Sequence, residues 1–197
     1  MSSAAFASAA FASVASSPGV AGSLVVVSST SLAPSASLVP WTPPFSARPL
    51  SGGIRDYPDR HNHRLVGLIA GVHGLVRDAV LPGNGAAELF TWAARDAAAF
   101  GISSLPAPGF ADYSRALACW QGRSLPQTLA LQWDVAFPQP FPPPSEADAL
   151  WVCNPHNPTG QLWSRSSLEP LLQQYRLVIC DEAFLSLVPD GEQQSLI

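Results

Sequence analysis

The chain contains no lysine; all ten of its basic residues are arginine. Codon bias toward Ala, Arg, Pro and Gly explains a surface free of lysine. Such bias should not remove a lysine whose amine does covalent chemistry, so that chemistry is excluded from these 197 residues. Charge of either sign is sparse, 12% of the chain with a net of −4. No basic patch accompanies it, which argues against a nucleic-acid partner. The first positively charged side chain is Arg48. A secretory signal needs an earlier basic stretch and a transit peptide needs arginines, so neither is expected. The apolar run Gly22–Val27 is far too short to span a bilayer, so no membrane partner is expected. The three cysteines, Cys119, Cys153 and Cys180, are odd in number and widely spaced. They read as reduced, mostly buried thiols of a cytoplasmic protein rather than as disulfides or a metal set.

Composition divides the chain. Residues 1–50 form a low-complexity segment: Met1–Val39 is rich in Ala, Ser and Val and is expected to be disordered, and Pro40–Pro44 is an extended linker. Residues 51–197 carry the pattern of one α/β unit. Its clearest stretch is Ala149–Phe184. Two short apolar runs, Ala149–Cys153 and Leu177–Cys180, each end abruptly in polar residues. Between them Ser164–Tyr175 has leucines at Leu168, Leu171 and Leu172, a helical spacing. Strand, helix and strand make a βαβ unit with parallel strands. Asn157 and Asp181 then stand side by side at the carboxyl edge of the sheet, where open α/β folds bind ligands.

Other elements follow from periodicity and punctuation. Helices are expected over Arg64–His73, closed by Gly74, over Ala86–Phe100, and over Asp112–Trp120. Short strands are expected at Ile102–Leu105 and Leu125–Trp133. Val80–Gly85 reads as a turn opening the second helix, and its backbone N–H groups form a candidate phosphate site. Phe137–Ser145 is a proline-rich loop. His61 and His63 read as solvated surface residues, because no acidic or cysteine partner follows at ligand spacing. His156 is given no role.

Taken in order, Tyr57-Pro58, Gly83-Asn84-Gly85, Pro108–Tyr113, Asn154–Gly160 and Asp181–Phe184 resemble the large domain of the fold-type I pyridoxal-phosphate enzymes, the aspartate aminotransferase superfamily. The resemblance covers about Ile54 to Ile197. It implies an incomplete PLP-dependent transferase-like domain, α/β, with a mostly parallel sheet and helices on both faces. Within that superfamily PGFADYSRAL and CNPHNPTG…DEAF are similar to the threonine-phosphate decarboxylases of cobalamin biosynthesis. The histidinol-phosphate aminotransferases are next.

The resemblance implies pyridoxal 5'-phosphate as cofactor and assigns it residues. Asp181 would face the pyridine nitrogen and keep it protonated. Without the Asn motif, Asp181 would read as a helix cap. Asn157 would donate its amide to the phenolic oxygen. Gly85 and Ala86 would bind the phosphate through backbone N–H groups, with Asn84 stiffening their turn. Phe110 would stack on the ring, with Tyr113 as the alternative. Tyr57 would reach the phosphate of a neighbouring subunit, which implies a homodimer. Phe184 stands where aminotransferase relatives place a tyrosine. The substrate would be a phosphorylated amino acid, L-threonine O-3-phosphate, giving aminopropanol phosphate. No catalytic residue is assigned, because the family's Schiff-base lysine lies on a strand and turn beyond the last residue here. The relatives' substrate-facing asparagine is also absent, its region reading SLAPSASLVP. Three expectations stand: part of such a decarboxylase, a non-catalytic partner chain, or an unrelated nucleotide-binding module. The first two also imply an uncovered sheet edge and exposed apolar residues Leu185, Leu187 and Val188.

Overall fold

In a computed structural model of the chain, the described residues are 9–15, 23–30, 57, 59–130, 138–143 and 145–197. Ala149–Cys153 (β6) and Leu177–Asp181 (β7) pair in parallel at the centre, Ala149 opposite Leu177 and Cys153 opposite Asp181. Every residue of both strands is buried. Strands covered on both faces need no polar alternation, which is why they read as continuous apolar runs.

The remaining strands are β1 (Ala9–Ala15), β2 (Ser23–Thr30), β3 (Val80–Gly83), β4 (Ile102–Ala107) and β5 (Arg123–Thr128). The sheet runs β3-β1-β2-β7-β6-β4-β5. β2, β7, β6, β4 and β5 are parallel in succession, and β1 is antiparallel to both its neighbours. Helices α1 (His63–His73), α2 (Ala86–Phe100) and α3 (Ala111–Cys119) fall within a residue of their expected bounds. α2 and α3 cover one face, packing Leu89, Phe90, Ala94, Tyr113 and Leu117 on Trp151, Ile179 and Val27. Leu150, Val152, Val178 and Val26 face the opposite layer, with Trp163, Leu168, Leu171 and Tyr175. The fold is therefore α/β with a mostly parallel sheet and helices on both faces. Burying each of these large side chains contributes roughly 1.5–3 kcal/mol.

Several expectations are corrected. Ala9–Ala15 and Ser23–Thr30, expected to be disordered, are interior strands of the sheet. β2 pairs along β7 from Ser23 opposite Leu177 to Val27 opposite Asp181, and the Glu182 N–H donates to the Val27 carbonyl at 2.7 Å. The rest of the 1–50 segment lies outside the described residues. β7 is thus paired along both edges, and the rims of the sheet are β3 and β5. Val80–Gly83 is a strand rather than a turn, on the rim beside β1. The helix over Ser164–Tyr175 is shorter: α4 (Arg165–Leu168) continues as a 3-10 turn, Glu169–Gln173. Pro170 lacks the N–H that a further α-helical bond needs. β5 begins earlier than expected and ends at Thr128; its rim position tolerates Pro126. The expected strand residues 131–133 lie outside the described residues. After β7 the chain makes 3-10 turns at Leu185–Leu187 and Gly191–Gln194. Leu185 is buried rather than exposed, while Leu187 is exposed.

Val27 is fully buried and packs in the same cluster as Ile179. A carboxylate at that position meets no partner, so Val27→Asp is expected to lower unfolding free energy by about 3 kcal/mol or more. Urea denaturation measures this, and an unchanged midpoint would place β2 outside the sheet.

Candidate functional site at the carboxyl edge of the sheet

Parallel strands bring their carboxyl ends to one edge, so the residues that follow β4, β6 and β7 meet there. The central group is Asp181, the last residue of β7, 6% exposed. The Tyr113 hydroxyl donates to its Oδ2 at 2.8 Å. The Ala183 N–H donates to Oδ1 at 3.0 Å, and Cys153 Sγ lies 4.0 Å from Oδ2. All three are neutral. Among the described residues no ion pair reaches Asp181. Burial pushes its pKa above the ordinary carboxylate value, and the hydrogen bonds from Tyr113 and Ala183 offset this only in part. The same burial, and then the Asp181 charge, push the Cys153 thiol up to about 12. Tyr113 is also raised, by burial first and Asp181 second, so it stays a neutral donor.

The turn after β6 separates the two asparagines of NPHNPTG. Asn154 is fully buried and its amide is spent on structure: Oδ1 accepts from the Trp163 N–H at 2.8 Å, and Nδ2 donates to the Trp163 carbonyl at 3.3 Å. Asn157 is half-buried. Its backbone N–H bonds Cys153, which places it beside the thiol that also faces Asp181. No hydrogen bond among the described residues engages its side chain. Gly160 closes the turn with a φ of +77° that favours glycine.

Asn84 and Gly85 lead into α2. Gly85 is its N-cap with a φ of +86°, and no side chain caps the helix. Among the described residues no side-chain acceptor bonds the first N–H groups of α2, that of Ala86 among them. Asn84 is pinned by Glu88, whose Oε2 accepts the Asn84 backbone N–H at 2.6 Å and Nδ2 at 3.0 Å. Phe110, half-buried, precedes α3 and meets Phe90 and Tyr113 edge to face. Tyr113 is 1% exposed, beneath the edge with its hydroxyl on Asp181.

The structure thus brings Asp181, Asn157 and Cys153 together, with Tyr113 beneath and Phe110 against it. Tyr57 is 99% exposed and makes no contact with this edge. Phe184 is exposed. Two concavities, about 340 and 540 Å³, lie against α1, and neither is lined by the residues of this edge. His63 bonds Asp59 at 2.8 Å, and no group of metal-ligating residues exists among the described residues. No helix among them is long and apolar enough to cross a membrane.

Sequence reasoning missed two features. The Tyr113–Asp181 bond joins residues 68 apart, and only the three-residue offset of Tyr113 from Phe110 hinted that both face one layer. Glu182, 2% exposed, accepts from Ser195 Oγ at 2.7 Å and from the Leu196 N–H at 2.8 Å. It anchors the segment after β7 and does not face the site.

Residues 47–196 match the profile of the aminotransferase class I and II family. The chain belongs to that family, whose members depend on pyridoxal 5'-phosphate. It is 33% identical over 149 residues to the threonine-phosphate decarboxylase of Salmonella typhimurium, covering 69% of this chain and 39% of that one. It is 33% identical over 142 residues to the histidinol-phosphate aminotransferase of Sinorhizobium fredii, covering 68% and 38%. The histidinol-phosphate aminotransferase of Sinorhizobium meliloti, solved in complex with pyridoxal-5'-phosphate, shares the fold with a TM-score of 0.56 at 23% identity, over 72% of this chain and 40% of that one. The chain therefore spans about two fifths of the length of these relatives.

Burial raises the pKa of both Asp181 and Glu182. Their folded pKa values exceed the unfolded ones, 3.8 and 4.5. Their contribution to stability is therefore complete below about pH 4 and is lost as pH rises through the folded values. Asp181→Asn removes one of these charges. At pH 7 it is expected to raise the melting temperature of the free chain by about 2–4 °C, on the order of 1 kcal/mol, with a smaller gain at pH 4. A lower melting temperature at pH 7 would show that the ionised carboxylate is not penalised.

Proposed function

We propose that the carboxyl edge binds pyridoxal 5'-phosphate without a covalent bond. The observation that carries this is Asp181, a buried carboxylate with only neutral partners. Such a group gains most from a cationic ring N–H. The free Asn157 amide beside it and the uncapped first turn of α2 supply the two further donors the cofactor needs. Asp181 holds a proton on the pyridine nitrogen. Asn157 donates to the phenolic oxygen, and the Gly85 and Ala86 N–H groups take the phosphate, with Asn84 stiffening the turn through Glu88. Phe110 covers the ring. Tyr57, turned away from this edge, serves the site of a second copy, which makes the functional unit a homodimer. When bound, the cofactor supplies an electron-accepting ring.

The activity we assign to the complete protein is decarboxylation of a phosphorylated amino acid, L-threonine O-3-phosphate, to aminopropanol phosphate for cobalamin biosynthesis in the cytoplasm. The PGFADYSRAL phrase and Phe184 in place of a tyrosine support it. Histidinol-phosphate-type amino transfer is the second reading, supported by the equal identity to the Sinorhizobium fredii enzyme. With no lysine, these 197 residues hold no side-chain amine for a Schiff base.

Titration of the purified chain with pyridoxal 5'-phosphate, followed by absorbance and fluorescence, tests the reading. Saturable binding is expected, weakened at least tenfold in Asp181→Ala, about 1.4 kcal/mol. Borohydride is expected to fix no cofactor except at the N-terminal amine. A borohydride-stable adduct at an internal residue would contradict the proposal.

A further inference from the structure

His156 lies between the two asparagines of the NPHNPTG turn, and the reading above gives it no part. It is 2% exposed. Its Nε2 is 2.9 Å from the Pro108 carbonyl oxygen. A carbonyl can only accept, so Nε2 carries the proton and donates. Nδ1 is buried with no hydrogen-bond partner. Burial lowers the pKa of the ring, which keeps it in this neutral form. The backbone around it is held as well: its N–H donates to the Gln161 carbonyl at 2.7 Å, and its carbonyl accepts the Gly160 N–H at 2.7 Å. The ring rests beside Trp163, centroids 6.3 Å apart.

The bond joins two loops that follow different strands. Pro108 starts the turn after β4 that carries Phe110 and opens α3. This turn is tight, since a Cβ on Gly109 would fall 2.2 Å from the Pro106 carbonyl oxygen. His156 starts the part of the β6 turn that carries Asn157. α3 is thus tied to the sheet edge twice, by His156 at its entry and by the Tyr113 hydroxyl on Asp181 one turn later.

We propose that His156 is a positioning residue for the ring site: its Nε2–H bond to the Pro108 carbonyl sets the spacing between Phe110, on one face of a bound pyridine ring, and Asn157 at its phenolic edge. The inference rests on the proposed binding of pyridoxal 5'-phosphate. Among the described residues no hydrogen bond joins His156 to the Gly85 turn before α2, so loss of the bond should loosen the grip on the ring and leave the grip on a bare anion intact. Substitution by alanine removes the donor. Substitution by glutamine returns an N–H at nearly the same reach.

The test uses the full chain, with pyridoxal 5'-phosphate and inorganic phosphate as separate probes. His156→Ala is expected to bind pyridoxal 5'-phosphate about tenfold more weakly and to lose the induced circular dichroism of the bound ring. Its affinity for inorganic phosphate should stay within about twofold of wild type. His156→Gln should recover cofactor affinity to within about threefold and recover the dichroic band. If His156→Ala does not fold, His156→Gln against wild type decides: a tenfold loss there overturns the proposal. Wild-type binding and dichroism in His156→Ala overturn it too, as does a parallel fall in phosphate affinity, which would mean general disruption. A wild-type chain that binds no pyridoxal 5'-phosphate overturns the cofactor reading together with this one, whereas wild-type binding unaffected by His156→Ala overturns this one alone.

Discussion

A carboxylate buried among neutral donors is the constraint on which this edge is built. Asp181 receives hydrogen bonds from Tyr113 and Ala183 and no positive charge from any described residue. A fold optimised for stability alone would place an apolar or amide side chain there. The position is held from three sides: β7 is buried along its whole length, Tyr113 of α3 bonds the carboxylate, and Cys153 packs alongside from β6. In the proposed cofactor site, a cationic ring nitrogen meeting Asp181 would turn the energetic penalty of the free carboxylate into binding energy.

The second constraint is continuity of the sheet. β7 supplies Asp181, yet a five-residue parallel strand is stable only when both edges are paired and both faces covered. β6 pairs one edge; β2, from the Ala- and Ser-rich beginning of the chain, pairs the other, in register up to Val27 opposite Asp181. Beyond it β1 closes the gap to β3, whose end leads into the Gly85 turn. The two parts of the proposed cofactor cradle, the carboxylate and the anion turn, are therefore held in one sheet by strands that contribute none of the assigned residues.

Much of this was legible in the residues because it is local. Continuous apolar runs ending in polar turns marked β6 and β7, and their parallel pairing placed the NPHNPTG turn and Asp181 at one edge of the sheet. The apolar face of α2 and the glycines before it marked that helix and its start. The roles of β1 and β2 were not legible, since Ala and Ser have weak strand preference and their partners lie across the chain. The limit of α4 could have been read from Pro170. Long-range polar bonds are the part that no periodicity encodes. Nothing in the spacing of Tyr113, His156 or Glu182 distinguishes a hydroxyl on Asp181, a ring on Pro108 or a carboxylate on Leu196 from ordinary core or turn positions. Tyr57 is fully exposed, so any part it has in the site depends on a second copy of the chain.

The most direct test of the central claim is a carboxyl-carbon NMR titration of Asp181, run on the chain alone and with saturating pyridoxal 5'-phosphate. The account predicts an apparent pKa above 3.8 in the free chain and a marked fall once the ring is bound, as a cation replaces neutral partners. The same pKa with and without the cofactor would contradict it.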